Sequence, residues 1–450
     1  MSRLLTLILL AALSLLYFSG LADVGLLGPD EPRYAAIGRQ MARSGDWVTP
    51  VLWGSPWFEK PALLYWMTGL GTTLGLGPEL APRLPVTLSA VLFLVFFYWI
   101  LSRNLPGSPV PLYSTIILAT SAAWMTYGFV AVTDMPLAVC SAAAMLLSVY
   151  CCAPAWVAGL LLGLAVLAKG LAGFVFFAPV VVWLIWIKQY RRLAITLATA
   201  IAVAAPWYVL CYLRNGQAFI DEFFIKHHFQ RFSTDALRHV QPWYFYIPVM
   251  LGALFPWTPL YGVLFRKSLY EDRRIAMIGL WVLWGVVFFS ISKNKLPGYI
   301  LPVVPGVAIL LGLAADRSPR WVLAFSAWLL SVIPALAHIL GPALDHGLTK
   351  VAIPNPPAWG VVVAGIATIW CLGKRRHAMV AVGLLFLIPV LYLKHVAFPV
   401  LNESVSARET AKRGAPVCAD ASKRDLYYGL NYYLDVQQKL PVCGDVATPP

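Results

Sequence analysis

The sequence predicts an α-helical protein that crosses a membrane many times. Of its 450 residues, 60% are hydrophobic and only 12% are charged, whereas about a quarter of the residues in a soluble protein are charged. The apolar residues fall in runs whose lengths are close to the ~20 residues that a helix needs to span a bilayer. The net charge of +14 does not require a nucleic-acid partner, because Lys and Arg first set the orientation of a membrane protein.

Thirteen membrane spans are predicted from these runs. They are expected near residues 4–21, 84–101, 111–129, 135–151, 154–168, 171–187, 194–213, 244–265, 275–291, 298–314, 321–340, 358–373 and 378–397. The spans 154–168 and 171–187 are short and nearly touch. Fusing them would place the basic loops 266–274 and 374–377 on opposite sides of the membrane, which the positive-inside rule disfavours. We therefore expect a cytoplasmic N-terminus and a periplasmic C-terminus.

Two regions are predicted along the chain. Residues 1–397 form a transmembrane domain, in which the first periplasmic loop, 22–83, carries interfacial helices, and residues 398–450 form a small periplasmic segment. Cys418 and Cys443 lie in that segment, where an oxidising compartment favours a disulfide; two free thiols are the alternative. Residues 1–22 resemble a signal peptide, but the charge pattern favours an uncleaved first helix.

The charged residues outside the predicted cytoplasmic loops collect on the other side of the membrane. They include Asp30, Glu31, Arg33, Arg39, Arg43, Asp46, Glu59, Lys60, Arg83, Asp134, Lys169, Lys293 and Lys295. Ionisable groups at membrane depth are costly and usually functional. Structural roles are the alternative for several of them. Arg39, Arg43 and Asp46 suit the solvated face of an interfacial helix. Arg83 suits an anchor to lipid phosphate, and Lys169 suits a side chain that extends to the headgroups.

Two short motifs in the first loop indicate chemistry. In "PDEPRY" (29–34), prolines on both sides restrict the backbone around the carboxylate pair Asp30 and Glu31. In "WFEKP" (57–61), Glu59 and Lys60 lie among aromatic residues of the kind enriched at membrane interfaces. An anion and a cation held at headgroup depth suit a reaction on a lipid phosphate.

An ordered series of motifs resembles a known family. The motifs are "DEPRYAAIGRQMARSGDWVTP", "FEKPALLYW", "APRLP", "TDMP", "LAKG", "HFQRF", "PWYFYIPVMLGALFPW" and "SKNKLPGYILPVVPGVAIL". Together they resemble the GT-C glycosyltransferases, especially the aminoarabinose transferases that modify lipid A and related protein mannosyltransferase-like enzymes. The resemblance covers residues 26 to 312. It implies a GT-C fold in the bacterial inner membrane and an inverting sugar transfer from undecaprenyl phosphate to a periplasmic lipid A, other glycolipid or protein acceptor.

The resemblance also implies roles for individual residues. Asp30 matches the catalytic carboxylate and Asp134 the second acidic position. Three residues match positions that hold the lipid phosphate, namely Lys60, Arg231 and Tyr299. Lys169, Lys293 and Lys295 are further cations that could stabilise the leaving phosphate.

A metal site is the least complete part of the pattern. Glu59 matches a metal-contacting position. In "KHHFQRF" (226–232), however, Lys226 stands where the family has its first histidine, and His228 retains the second. Glu59 and His228 are therefore the two candidate ligands for a divalent Zn, Mg or Mn ion, with His227 as the alternative histidine. This is fewer than the three or four ligands that zinc prefers.

The predicted reaction breaks the bond between the sugar and its phosphate carrier. Negative charge grows on the leaving phosphate, and fixed cations stabilise such charge. A hydroxyl acceptor needs a general base, for which Asp30 is the first candidate, whereas a phosphate acceptor needs none. A transporter or flippase of lipid-linked sugar is the alternative. Transporters often contain repeats and midplane sites, whereas the two halves of this sequence do not repeat and its unexplained charges collect at one face of the membrane. The sugar, the acceptor and the oligomeric state are left open.

Overall fold

A computed structural model describes residues 11–12, 14–230, 240–330, 375–414, 416 and 418–443. This part of the chain is mainly helical, with one short antiparallel hairpin of Val51–Leu52 and Ser55–Pro56. The α-helices are Asp30–Ser44, Leu63–Thr73, Leu80–Asn104, Val110–Ala119, Ala122–Phe129, Asp134–Tyr150, Ala155–Lys169, Ala172–Trp186, Tyr190–Asn215, Gln217–Phe219, Tyr246–Ala253, Arg273–Ile291, Val304–Arg317, Arg320–Leu329, Arg375–Leu385, Leu387–Tyr392, Phe398–Val405, Ala407–Arg413 and Arg424–Tyr433. The 3₁₀-helices are Thr258–Val263, Lys267–Tyr270 and Pro297–Val303, and the π-helices are Ile220–Gln230 and Leu393–Ala397.

The helices form a bundle suited to a bilayer, which confirms the predicted fold class. Among the described residues, five helical stretches are long and apolar enough to cross a membrane, namely Leu80–Asn104, Tyr190–Asn215, Arg273–Ile291, Pro297–Arg317 and His377–Glu403. The most apolar part of Pro297–Arg317 is 89% buried, against 22% for Tyr190–Asn215. The former therefore lies at the centre of the bundle, and the latter presents apolar side chains to lipid. The count of thirteen spans stays a prediction.

Two expected continuous spans are interrupted. The span expected at 111–129 breaks at Thr120 and Ser121, whose hydroxyls bond back to the carbonyls of Ile116 and Leu118. Such bonds compete with the helical ladder. The span expected at 244–265 is wrong as one α-helix, because a short helix ends at Ala253 and a 3₁₀-helix follows at Thr258. Pro256 lies in the break, and proline has no N–H to continue a helix.

The short pair near residue 170 forms two separate helices. Ala155–Lys169 ends where Gly170 adopts φ 65°, and Ala172–Trp186 follows at once. Glycine reaches positive φ without the strain that a Cβ atom causes. The break therefore leaves Lys169 at a helix end, where its side chain can reach a neighbouring helix.

The loops divide between two ends of the bundle. At one end, Arg192 donates to the carbonyls of Cys151 and Ala153, and Arg317 donates to Ser268. The first contacts join the turn at 151–154 to the basic loop 188–192, and the last joins the basic loops 266–274 and 316–320; all four were predicted to be cytoplasmic. The opposite end, which we call the site end, contains the loop after residue 20, residues 131–134 and residues 292–299. Which end faces the cytoplasm stays a prediction.

The C-terminal segment packs against the first helix at the site end. In the structure Cys418 and Cys443 are bonded, with their Cα atoms 5.0 Å apart. The bonded pair flanks Arg424–Tyr433, which we call the tail helix, and that helix contacts Asp30–Ser44, which we call the site helix. Tyr432 donates from its hydroxyl to the carbonyl of Pro78 at 2.8 Å. The domain boundary predicted at 397/398 falls inside the continuous helical stretch His377–Glu403 and stays a prediction.

The tail changes the expected role of two arginines on the site helix. Arg39 donates to the carbonyl of Tyr432 at 2.9 Å and lies over its ring at 4.1 Å. Arg43 pairs with Asp435 at 2.8 Å. The expectation of a purely solvated face is therefore wrong for Arg39, whose side chain is mostly buried. Since the tail is about 400 residues away in sequence, a local pattern did not reveal this contact.

Candidate active site

The first candidate catalytic residue begins the site helix. Asp30 forms an ion pair with Arg33, one turn later in the same helix. Arg33 also donates to Glu59 at 3.0 Å, and the second oxygen of Glu59 accepts from Lys60 at 3.1 Å. Two sequence motifs, "PDEPRY" and "WFEKP", therefore meet in one chain of alternating charges. We call these four residues the Asp30 cluster.

Arg33 is the buried centre of this cluster. Its guanidinium lies 5.8 Å from the Trp57 ring and 5.0 Å from the Tyr428 ring of the tail helix. Burial disfavours its charge, but the nearby carboxylates of Glu59 and Asp30 outweigh that effect and raise the pKa of Arg33. Arg33 therefore stays charged and holds the carboxylates in fixed positions.

A second cluster forms around Asp134. This residue begins the helix Asp134–Tyr150, and its Oδ1 accepts from Lys169 Nζ at 2.7 Å. The same ammonium lies 4.8 Å from the centre of the Tyr299 ring, a distance typical of a cation–π contact. Asp134, Lys169 and Tyr299 therefore come from three separate motifs to form what we call the Asp134 cluster.

Glycine is required where the Asp134 cluster packs against the "KLPGY" turn. A Cβ atom added to Gly298 would lie 2.7 Å from the Tyr127 hydroxyl and closer still to Asp134. The backbone of this turn can approach the carboxylate only because no side chain intervenes. The Tyr127 hydroxyl therefore lies beside the Asp134 cluster.

A buried ion pair joins the segments that carry the two candidate carboxylates. Both nitrogens Nε and Nη2 of Arg83 donate to Glu31, at 2.7 and 2.8 Å. Glu31 also accepts from the backbone N–H groups of Leu27 and Ala131. Both side chains of the pair are fully buried. The expectation that Arg83 anchors to lipid phosphate is therefore wrong, because carbonyl and carboxylate oxygens of the protein surround its guanidinium.

The remaining candidate phosphate ligands differ in their surroundings. Lys295 is buried, and its ammonium donates to the carbonyls of Gln241 and Ser292 at 2.9 and 2.5 Å. Burial lowers the pKa of Lys295. Lys293 is exposed at the same turn. Arg231 lies outside the described residues, so its position relative to the clusters stays a prediction.

Of the two candidate metal ligands, the structure describes only the side chain of Glu59. Both oxygens of Glu59 accept from cations of the Asp30 cluster, so a metal ion would compete with Arg33 and Lys60. The side chain of His228 lies outside the described residues. Within the described residues, no group of three His, Cys, Asp or Glu side chains has the spacing of a metal site. Metal binding stays a prediction.

Sequence reasoning did not give roles to three residues of the site. Arg33 had a usable signal, because Asp30 and Arg33 have the i, i+3 spacing of a helical ion pair. Tyr127 lies in an apolar run with no local sign of a polar role. Tyr428 comes from the tail, and only the tertiary contact places it over Arg33.

The comparisons of this chain with known proteins agree that it is similar to glycosyltransferases. The profile of the dolichyl-phosphate-mannose-protein mannosyltransferases matches residues 2–220. An undecaprenyl phosphate-alpha-4-amino-4-deoxy-L-arabinose arabinosyl transferase 2 of Pseudomonas fluorescens is 30% identical over 85% of this chain and 74% of its own length. A Pseudomonas aeruginosa transferase of the same description is 32% identical over 70% of this chain and 60% of its own length.

Solved structures agree with these sequence relatives. The crystal structure of ArnT from Cupriavidus metallidurans bound to undecaprenyl phosphate superposes with a TM-score of 0.80 and 27% identity, covering 98% of this chain and 86% of that one. The arabinosyltransferase EmbB from Mycobacterium smegmatis gives a TM-score of 0.55 at 13% identity, covering 96% of this chain and 43% of that one. The second similarity concerns the fold alone.

Proposed function

The chain belongs to the family of undecaprenyl phosphate-aminoarabinose arabinosyl transferases, and we propose that it transfers such a sugar from undecaprenyl phosphate to an acceptor at the periplasmic surface. It is a glycosyltransferase of the bacterial inner membrane, and the comparisons therefore favour an enzyme over the alternative of a transporter or flippase. Lipid A is the first candidate acceptor, ahead of another glycolipid or a protein.

The observation that carries the proposal is that both clusters lie at the site end of a membrane bundle, on segments that Glu31 connects through Ala131. Each cluster pairs a carboxylate with a largely buried cation, Asp30 with Arg33 and Asp134 with Lys169. A lipid-linked donor would keep its polyprenyl chain in the bilayer and its phosphate at the end of the helices. This arrangement suits cleavage of the sugar–phosphate bond and does not require cytoplasmic nucleotide chemistry.

The cations are proposed to stabilise the leaving phosphate. When the bond between the anomeric carbon and the phosphate oxygen breaks, the electron pair stays on the phosphate, which becomes a dianion. Lys60 and Lys169 would bind this charge, and the Tyr299 hydroxyl would donate a hydrogen bond. Because the protein already orients these groups, they need little reorganisation during the reaction. Arg231 keeps its predicted role as a further phosphate ligand.

Asp30 is proposed as the general base for a hydroxyl acceptor. Its side chain is 45% exposed, whereas that of Asp134 is 14% exposed and bonded to Lys169. Asp30 is therefore the carboxylate more open to an incoming acceptor. It would take the acceptor proton as the oxygen attacks from the face opposite the phosphate, which inverts the anomeric carbon. An acceptor phosphate would need no deprotonation, and Asp30 would then orient it.

The predicted topology completes the proposal. The site end would face the periplasm, with the N-terminus in the cytoplasm and the C-terminus outside. The bond between Cys418 and Cys443 fits this placement, because disulfides persist in an oxidising compartment. A divalent ion bound through Glu59 and His228 would polarise phosphate oxygens. The proposed roles of Asp30, Lys60 and Lys169 do not depend on such an ion.

The test is a transfer assay with purified protein in a bilayer nanodisc. The donors are undecaprenyl phosphate carrying aminoarabinose or other sugars, the acceptors are extracted envelope lipids, and mass spectrometry identifies the product. We expect a glycosylated lipid from the wild type. With a hydroxyl acceptor, Asp30→Asn should lower turnover by about 10²–10⁴-fold, the usual contribution of a general base. Lys60→Ala should also lower it.

Asp46→Asn is the matched control. Asp46 lies in the same loop and pairs with Arg214 at an exposed surface, so this variant should retain wild-type turnover. Full activity in Asp30→Asn would remove Asp30 from the mechanism. Absence of product with every donor and acceptor, combined with movement of the lipid-linked sugar across vesicles, would replace the transferase by a transporter.

A further inference from the structure

A groove of mixed polar and apolar lining lies beside the second half of the site helix, outside the two clusters. Its volume is about 240 Å³, and its walls are the site helix, the hairpin turn at Trp53 and the tail residues 435–438. We call it the Arg43 groove. Neither candidate catalytic carboxylate lines it, although it lies at the same end of the bundle as Asp30.

We propose that the Arg43 groove binds a phosphate group on the acceptor headgroup, at a distance from the atom that receives the sugar. This inference rests on the proposed function, because it presumes a transferred sugar and an acceptor. It adds a second place of contact for the acceptor, made to a phosphate of its headgroup outside the two clusters.

The charges of the groove suit an anion. Arg39 and Arg43 share one carboxylate, that of Asp435, at 3.0 and 2.8 Å, which leaves an excess of one positive charge. A guanidinium has five N–H donors, and the contacts of Arg43 among the described residues use one of them. About half of the Arg43 side chain is exposed. Arginine presents paired donors that match the geometry of phosphate oxygens.

Amide groups extend this set of donors. Gln40, Gln437 and Gln438 also line the groove. Their side chains have no hydrogen-bond partner among the described residues, and Gln437 and Gln438 are exposed. A phosphate has several acceptor oxygens, so one guanidinium and neighbouring amides can bind it together. The groove therefore offers donors that the described fold leaves available.

The backbone on two walls is held in an unusual conformation. Trp53 has φ 49° and Asp435 has φ 53°, the left-handed region that residues other than glycine rarely adopt. Such conformations persist where the surrounding structure fixes them, and they cluster at ligand sites. Trp53 is fixed by stacking on Tyr428, with ring centres 5.6 Å apart and an angle of 12°.

The same contact connects the groove to the Asp30 cluster. Tyr428 lies between Trp53 and the guanidinium of Arg33. Along the site helix, Arg43 follows Asp30 by thirteen residues, a rise of about 20 Å. A headgroup of that length can reach both places, provided that its anchored phosphate and its reacting atom lie in different parts of the molecule.

The experiment measures the acceptor KM in nanodiscs of fixed lipid composition. The probes are an envelope glycolipid with two phosphates, called the phosphorylated form, and the same glycolipid treated to remove only the phosphate that is distant from the atom receiving the sugar, called the treated form. For the phosphorylated form, Arg43→Gln should raise KM about tenfold, the effect of losing one charged hydrogen bond. Gln438→Ala should raise it less, without breaking any described contact. For the treated form, wild type and Arg43→Gln should have the same KM.

Arg214→Gln is the matched control, because Arg214 forms an exposed pair with Asp46 at 2.7 Å and lies outside the groove. Its KM should equal that of the wild type. A wild-type KM in both groove variants would overturn the inference. The inference would also be overturned if the rise in KM caused by Arg43→Gln depended on the anionic phospholipid content of the nanodisc and not on the acceptor phosphate. The groove would then bind bilayer headgroups.

The inference and the proposed function can fail separately. If the wild type forms product and the groove variants keep its KM, only the inference fails. If the wild type forms no product, the proposed function fails. Direct binding of the phosphorylated glycolipid to wild type and Arg43→Gln then decides whether the groove recognises phosphate. Thermal unfolding of each variant verifies that the protein is folded.

Discussion

Asp30 and Glu31 are adjacent in sequence and have opposite surroundings. The Asp30 side chain is 45% exposed and has one charged partner, Arg33, within its own helix. The Glu31 side chain has no exposed surface, and its two oxygens accept four hydrogen bonds from Arg83, Leu27 and Ala131. One carboxylate is open to a substrate, whereas the protein completely surrounds the other.

The difference shows how one helical turn can supply both chemistry and support. Consecutive residues point about 100° apart around a helix with 3.6 residues per turn. At the start of the site helix, the Asp30 side chain faces the site and the Glu31 side chain faces the bundle. Through Ala131, Glu31 also fixes the segment that leads to Asp134. We therefore interpret Glu31 and Arg83 as positioning residues for the two candidate catalytic carboxylates.

Breaking the buried pair should give the largest effect. Glu31→Gln leaves the Arg83 charge buried without its carboxylate, and Arg83→Met leaves the Glu31 charge in the same state. Removing one partner of a buried ion pair typically costs about 3–5 kcal/mol, so both variants should unfold at lower temperature and lose activity. The measurement is the thermal unfolding midpoint of protein purified in detergent.

Arg214→Gln is the control for that comparison. It breaks a pair whose side chains are 53% and 37% exposed, and exposed pairs contribute about 0–1 kcal/mol. If Glu31→Gln lowers the unfolding midpoint no more than this control does, the distinction between Asp30 and Glu31 is refuted. Activity per folded molecule then reports whether the pair also positions the site.

Asp30→Asn should separate activity from stability. Because Asp30 is partly exposed and its charge partner lies in the same helix, we expect the unfolding free energy to change by less than about 1 kcal/mol. Donor binding should also persist. Thermal unfolding measures the stability change, and a titration measures donor binding. If Asp30→Asn lowers the unfolding midpoint as far as Glu31→Gln does, Asp30 has a structural role and not a catalytic one.

The exposed pair of Arg43 and Asp435 should give the smallest effect, and it should depend on pH. The hydrogen bond from Arg43 lowers the pKa of Asp435. A lowered pKa in the folded state means that the stabilisation is present above the ordinary pKa of Asp and is lost as pH falls through the folded value. Asp435 also pairs with the mostly buried Arg39, so at neutral pH Asp435→Asn should destabilise the tail by about 1 kcal/mol, the upper end for an exposed pair.

Hydrogen exchange of the tail helix is the measurement for this last pair. Exchange should be faster in Asp435→Asn than in wild type at neutral pH, and the difference should shrink as the medium is acidified below the ordinary Asp pKa. A difference that grows in acid would show that another titrating group holds the tail. The result also reports on one wall of the Arg43 groove without using transfer activity.

Several features of the fold and the site were predictable because they are local. Runs of apolar residues predicted the membrane helices, and the excess of Lys and Arg on one set of loops predicted their grouping. The motifs around Asp30, Lys60, Asp134, Lys169 and Tyr299 indicated a site on the opposite side. The broken stretch at 244–265 was harder, because apolar composition stays high where proline interrupts the helical hydrogen bonds.

Hydropathy and charge spacing are properties of short segments, and they were enough to predict a membrane protein whose scarce charges collect at one end. Which of two adjacent acids faces the site became visible only in the folded chain. The fold also determines that Arg83 binds Glu31, and that Tyr428 reaches Arg33 across almost 400 residues of sequence. The physical reason is that a buried charge takes whichever partner the folded chain brings within hydrogen-bond distance, and that distance is independent of separation along the chain.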